Sequence, residues 1–153
     1  MTFQVEPVGV VRNNRDDPGD SDHWGAVVSV IEIDDRFGDG CLQGLQYFSH
    51  AEVVFVFDRA CERDEYVPRP PRGRDDLPAV GVFADHGPRR PNRLGVSYCE
   101  IVSVDRRRLR VRGLDAVDAT PVLDIKPAMT QFLPAVVRQP EWVDRLMADY
   151  YQP

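Results

Sequence analysis

Three arginines, two prolines, two glycines, a histidine and an asparagine are packed into Asp85-His-Gly-Pro-Arg-Arg-Pro-Asn-Arg-Leu-Gly-Val-Ser97. Guanidinium groups recognise carboxylate or phosphate through paired hydrogen bonds. Pro88 and Pro91 fix two φ angles and remove two donors, so the segment is a stiff loop rather than a helix. Such a loop beside buried strands is where binding chemistry sits. The second segment with chemical content is Gly113–Pro127, in which Asp115, Asp118 and Asp124 bracket Thr120-Pro121 and a short apolar run. A carboxylate at the end of a buried strand costs free energy unless it meets partners. Asp124 and Lys126 could pair with each other or with Arg90. Alternatively, backbone groups around 114–117 and 121–125 could hold a small polar cofactor against the arginine loop.

Other chemistries lack their residues. His23, His50 and His86 lie far apart, and neither His-x-x-x-His nor a Cys/His pattern is present, so no metal site is expected. There is no Walker-type loop, no Gly-x-Gly-x-x-Gly after a strand and no Gly-x-Ser-x-Gly. Cys41, Cys61 and Cys99 are odd in number and widely spaced, which suits reduced thiols in a cytoplasmic protein. No apolar run reaches the roughly 20 residues of a membrane span, and the start Met1-Thr-Phe-Gln-Val-Glu lacks the pattern of a signal peptide.

The elements that must position these residues are mostly strands. The chain has 153 residues, 42% hydrophobic and 29% charged, enough for one domain with its own core. Phe3–Arg12, Ala26–Ile33, Ala51–Phe57, Ala79–Phe83, Gly95–Val104, Arg108–Val111 and Pro121–Ile125 read as short strands, rich in β-branched residues. Asp105-Arg-Arg reads as a hairpin turn. Ala51–Phe57 is almost continuously apolar and is placed centrally. Many short strands separated by turn signals predict a mainly β fold, a small closed barrel with its core over about 3–127. A short helix or turn is expected near 39–48, where Leu42, Leu45 and Phe48 are spaced between glycines. A C-terminal helix is expected over about 140–151, with Trp142, Val143, Leu146, Met147 and Tyr150 on one stripe. Asn13–Trp24 and Cys61–Pro78 read as long loops that help to form a site.

Net charge is −6, which by itself argues against a protein that coats nucleic acid. The bases are clustered, however: Arg69, Arg72 and Arg74, then Arg89, Arg90 and Arg93, then Arg106, Arg107, Arg108, Arg110 and Arg112. Lys126 is the single lysine. A local basic face on an acidic body can still steer an RNA or a phosphate.

Taken in order, Pro7-Val-Gly-Val-Val-Arg12, Gly44-Leu-Gln-Tyr-Phe-Ser-His50, Val53–Phe57, Arg69-Pro-Pro-Arg-Gly73, the stretch Val80–Ser97 and the stretch Gly113–Pro127 resemble the TsaA/YaeB (TrmO-like) family. That is a family of S-adenosylmethionine-dependent tRNA N6-adenine methyltransferases. The resemblance runs from about residue 6 to 127. It implies a β-barrel that binds S-adenosyl-L-methionine, acts as a homodimer and methylates N6 of threonylcarbamoyl-adenosine at tRNA position 37. Arg90, Pro91, Asn92 and Gly95 match the family's Arg-Pro-Asn-x-x-Gly. Asp115, Asp118, Thr120, Pro121, Asp124 and Lys126 match its Asp-x-x-Asp-Gly-Thr-Pro-Val-Leu-Asp-Ile-Lys-Pro. On this resemblance the cofactor would be held by Phe83, Ala84, Asp85, His86, Arg90, Leu114, Asp115, Asp118, Thr120, Pro121, Asp124 and Lys126. His50, Arg90 and Asn92 would serve the reaction, with His50 as acid-base or orienting group for N6. Tyr47 and Phe83 could stack on adenine rings or pack in the barrel. The chain departs from the pattern at His86-Gly87, where Arg-Ser is usual, at Arg93-Leu94, at Ala119 in place of glycine, and at Ala128, where an aromatic often stands. Longer members carry a further C-terminal domain that engages tRNA. These departures keep two alternatives open: the same fold acting on a small molecule or another RNA, and a non-enzymatic S-adenosylmethionine-binding module.

Overall fold

The computed structural model describes residues 1–153. Its strands are β1 (Gly9–Arg12), β2 (Val28–Ile33), β3 (His50–Val56), β4 (Leu94–Asp105), β5 (Arg108–Arg112) and β6 (Pro121–Pro127), followed by helix α1 (Glu141–Leu146). All neighbours run antiparallel and close a barrel in the order β1, β2, β5, β4, β3, β6. No helix is long and apolar enough to cross a membrane.

Period-two alternation decides which side of each strand faces the core. In β5, Leu109 and Val111 are buried while Arg108, Arg110 and Arg112 point to solvent. In β3, Ala51, Val53 and Phe55 face inward, and in β4 Gly95, Ser97 and Cys99 do so. Val11, Ile31, Val122 and Leu114 complete the fully enclosed centre. Gly95 lies opposite Phe55, and a Cβ there would sit 2.5 Å from Phe55 Cζ. The glycine therefore gives the ring its space.

Three expectations need correction. The opening strand is confined to Gly9–Arg12, and Phe3 and Val5 are exposed because they pack on nothing. Ala79–Phe83 is not a strand: Val80 makes one bridge to Arg69, and Val82–Ala84 is a 3-10 turn. Its apolar residues lie on a loop over the barrel, not within the sheet. The C-terminal helix ends at Leu146, short of Tyr151. Beyond it the backbone bonds elsewhere, with His23 N donating to Asp149 O at 3.0 Å and Trp24 N to Tyr150 O at 2.8 Å. These contacts outweigh helix propensity. Near 39–48 the structure has turns and a 3-10 helix at Leu45–Tyr47, as the spacing predicted.

Ala119 stands at φ 66, in the left-handed region, where a Cβ costs about 1–2 kcal/mol. Ala119→Gly is expected to raise stability by about 1 kcal/mol and Tm by roughly 2–4 °C. An unchanged Tm in thermal unfolding would show that the turn bears no strain.

Candidate functional site

The nominated residues fall at two ends of the barrel. At the end where β3 finishes and β4 begins lies the arginine loop. The Arg90 guanidinium donates to Asp85 O at 2.6 Å and so braces the loop. Asn92 and Arg93 both have positive φ, and Arg93 donates to Ala60 O at 3.0 Å. Phe83 is 82% exposed, so barrel packing does not account for it. His86 is exposed too, and Ala84 lies at the end of the same 3-10 turn.

Residues 113–120 plug this end. Leu114 is fully buried and Thr120 nearly so. Asp118 accepts from Asn13 N at 3.1 Å, and its carbonyl accepts from Arg59 at 2.8 Å. Asp115 accepts from the hydroxyls of both Ser97 and Tyr150. Arg72 faces the Tyr150 ring and also donates to Asp22 at 3.0 Å. The two long loops are thus joined to each other and to the C-terminal segment, which Tyr150 ties to Asp115.

Burial first, and the Asp115 charge second, push the Cys99 thiol up to about 12. The same two causes, in that order, raise the Tyr150 hydroxyl, with its hydrogen bond to Asp115 adding to them. In the unfolded chain these groups lose their protons near their usual 9.0 and 10.0. The unfolded state then binds fewer protons than the folded one, so stability falls as pH rises. Tm is expected to hold through neutral pH and to drop from about pH 9 upward, less steeply in Tyr150→Phe. A profile flat to pH 11 would contradict this burial. By the same geometry Cys41 and Cys61, both exposed, should react with a thiol reagent at once and Cys99 only on unfolding. Immediate titration of three thiols would overturn that.

At the opposite end, the turn that follows Gly44 lies over β6. Gly44 has φ 96, and Leu45 anchors the turn in the core. Together with Ile33, Phe37, Cys41, Leu42, Phe48, Asp124, Ile125, Pro127 and Met129 they line a cleft of about 540 Å³. His50 begins β3 beside it: its carbonyl accepts from Ala128 N at 2.9 Å, and Nδ1 lies 2.8 Å from Ser49 Oγ. Tyr47 is 85% exposed on the same turn, so it too is free of barrel packing. On β6, Asp124 pairs with Lys126 at 3.1 Å rather than with Arg90. Pro121 opens β6 against Val10. A larger cleft of about 980 Å³ around Asp34, Asp105 and Arg107 is polar, and among the resembling motifs it touches only the opening strand.

The structure therefore gathers Gly44, Leu45, Phe48 and Asp124 at one cleft, with His50 close by. It leaves Phe83, Ala84, Asp85, His86, Arg90, Asn92, Leu114, Asp115, Asp118 and Thr120 at the far end. From His50 to Val56 is six residue steps along β3, on the order of 20 Å at about 3.3 Å per step. Sequence reasoning did not nominate Phe37, Leu42, Cys41 or Met129. The Leu42, Leu45, Phe48 spacing was the available signal. The mainly apolar cleft with one carboxylate is of a size and chemistry that suit an aromatic base and a sulfonium. The third arginine cluster is largely neutralised on the barrel wall, with Arg112 on Glu100 at 2.7 Å, Arg107 on Asp39 at 3.0 Å and Arg108 near Glu32 at 3.9 Å.

A closed six-stranded antiparallel barrel with a mostly apolar cleft at its rim defines a small ligand-binding barrel distinct from nucleotide-binding α/β folds. The chain belongs to the tRNA-methyltransferase O N-terminal domain family, which matches residues 10–132. An S-adenosyl-L-methionine-binding protein of Archaeoglobus fulgidus is 38% identical over 125 residues, 80% of this chain and 86% of that protein. A human tRNA (adenine(37)-N6)-methyltransferase is 33% identical over 95 residues, 60% of this chain but 20% of that protein. Among solved structures, TrmO of Pseudomonas aeruginosa superposes with a TM-score of 0.75 at 28% identity, covering 100% of this chain and 66% of that one. Another TrmO structure gives 0.75 at 30% identity, over 91% of this chain and 64% of its own. The chain spans only 34% of a further Archaeoglobus relative, a probable S-adenosyl-L-methionine-binding protein.

Proposed function

We propose that the protein binds S-adenosyl-L-methionine at the Gly44–His50 and Asp124–Pro127 cleft and transfers its methyl group to N6 of adenosine 37 in tRNA, bearing a threonylcarbamoyl group. Membership of the family carries the reading, and the cleft between two of the family's motifs supports it. The cofactor supplies an electrophilic methyl on a cationic sulfur. Phe48, Leu42 and Leu45 exclude water from the apolar part of the cleft. The Asp124 carboxylate favours positive charge at its rim. His50 Nε2 makes no hydrogen bond within the chain and would be free to take the N6 proton as the methyl passes from the sulfonium, which would leave as a neutral thioether. Positioning supplies most of the rate in such an in-line displacement. The protein acts as a homodimer in the cytoplasm.

The test is incubation of labelled cofactor with total tRNA, followed by digestion to nucleosides. Label in an N6-methylated threonylcarbamoyl-adenosine is expected, and unlabelled tRNA whose threonylcarbamoyl group is intact would reject the substrate.

A second reading has a specific observation in its favour. The Archaeoglobus protein above and a probable S-adenosyl-L-methionine-binding protein of Methanothermobacter thermautotrophicus, of which the chain covers 90%, are both named for binding alone. A binding module, or a methyltransferase acting on another substrate, would give cofactor heat in calorimetry and no label in tRNA adenosine. No heat at millimolar cofactor would reject every one of these readings.

A further inference from the structure

The proposed reaction asks more of His50 than position. The N6 lone pair of a carbamoylated adenine is delocalised into the ring and the carbonyl, so N6 attacks a methyl group only as its proton leaves. Nε2 can receive that proton only through a bare lone pair, which requires the proton of the neutral ring to sit on Nδ1. An imidazole in water prefers the opposite form, with its proton on Nε2. Which nitrogen is protonated in a protein is set by the hydrogen bond that the other one makes.

The surroundings of Nδ1 are therefore decisive. Ser49 Oγ lies 2.8 Å from Nδ1, and neither that hydroxyl nor Nε2 has another hydrogen-bond partner in the chain. The charged neighbours are engaged elsewhere or too far along the strand. Glu100 stands across from His50 on β4, but its carboxylate accepts from Arg112 of β5 at 2.7 Å. On β6, Lys126 is paired with Asp124 at 3.1 Å. Glu52 follows on the same face of β3, about 7 Å along the strand at roughly 3.3 Å per residue.

The Ser49-His50 dipeptide is also held from both sides. Ser49 O accepts from Ile101 N of β4 at 2.9 Å, and His50 O accepts from Ala128 N, just past β6, at 2.9 Å. Both side chains are exposed, so neither is explained by packing. An exposed hydroxyl keeps water for its own hydrogen, and its oxygen is free to accept from the ring.

We propose that Ser49 is a positioning residue: its Oγ accepts from Nδ1–H of His50, holds the ring in the Nδ1-protonated form and leaves the Nε2 lone pair for the substrate. As N6 bonds to the methyl carbon, the carbon–sulfur electron pair stays with sulfur and the N6 proton passes to Nε2. The imidazolium so formed keeps its Nδ1–H on Ser49. The role in transfer rests on the methyltransferase reading, whereas the position of the ring proton does not.

The test has two readouts. NMR spectra that correlate ring protons with ring nitrogens, taken at about pH 8 where histidines are ordinarily neutral, report which nitrogen is protonated, and His50→Gln assigns the signals. Wild type is expected to show a protonated Nδ1, Ser49→Ala a shift of the proton toward Nε2, and Ser49→Thr the wild-type pattern. A wild-type ring with its proton on Nε2, or a Ser49→Ala ring identical to wild type, would overturn the proposal. In methyl transfer to tRNA, Ser49→Ala should lower kcat about 5-fold, the population change that one net hydrogen bond sets. KM for tRNA and the circular dichroism should stay as they are, and Ser49→Thr should restore kcat. An unchanged kcat in Ser49→Ala would overturn the positioning role. A wild type that transfers no methyl group, yet shows the proton shift on Ser49→Ala, would uphold the Ser49–Nδ1 assignment and remove the methyltransferase reading instead.

Discussion

Asp115→Ala should lower the unfolding free energy by about 3 kcal/mol, the cost of leaving buried hydroxyls without their acceptor. For a chain of this length that is roughly 6–12 °C in Tm. Asp115 accepts from Ser97, which is 5% exposed, and from Tyr150, whose segment is otherwise held by two backbone bonds to the His23-Trp24 loop. Removing the carboxylate therefore loosens both the plug of the barrel and the C-terminal segment. Tyr150→Phe alone should cost about 1 kcal/mol, since it deletes a donor but leaves the packed ring. The double variant should cost less than the sum of the singles, because the two changes share one interaction. Strict additivity in a thermal or urea double-mutant cycle would show that the Tyr150–Asp115 contact does not form in solution.

The second large effect is expected at Gly95→Ala, at about 2–3 kcal/mol, the usual cost of overpacking a filled core. The added methyl meets the Phe55 ring, and that ring is 1% exposed and packs edge-on against Phe57 at 5.2 Å. It has nowhere to move without disturbing the strand pair that launches the arginine loop. Phe55→Leu removes the colliding ring edge, so the Gly95→Ala/Phe55→Leu double variant should be more stable than Gly95→Ala alone. A double variant that is less stable than both singles would show that the glycine serves the backbone and not the ring. The glycine of the Arg-Pro-Asn-x-x-Gly pattern is thus explained here by packing rather than by a ligand.

Much of the fold was legible. The strand read at Arg108–Val111 and the apolar run of Ala51–Phe57 located β5 and β3 to within a residue, the first because period two survives where one face is buried and the second because a short apolar run rich in β-branched residues reads as a strand. The failures have physical causes. Ala79–Phe83 has the composition of a strand, but no neighbouring strand has free backbone groups to pair with it. Tyr150 sits on a helical stripe, yet the backbone at 149–150 finds better partners across the barrel end. The site was legible as motifs and not as a place. Arg90 donates to Asp85 O within its own loop, and Asp124 takes Lys126, one of the two partners the sequence allowed.

The sequence alone determined that the chain would be a small closed β-barrel, which of its segments bear chemistry, and that these match the family of tRNA-methyltransferase O N-terminal domains. Those are properties of local pattern, carried by alternation, turns and motifs. Only the tertiary structure decided that Gly44–His50 meets Asp124–Pro127 at one cleft while the arginine loop lies at the other end of β3. Strand order and register set such distances, and they depend on which face of each strand finds the common core, a choice made by all six strands together.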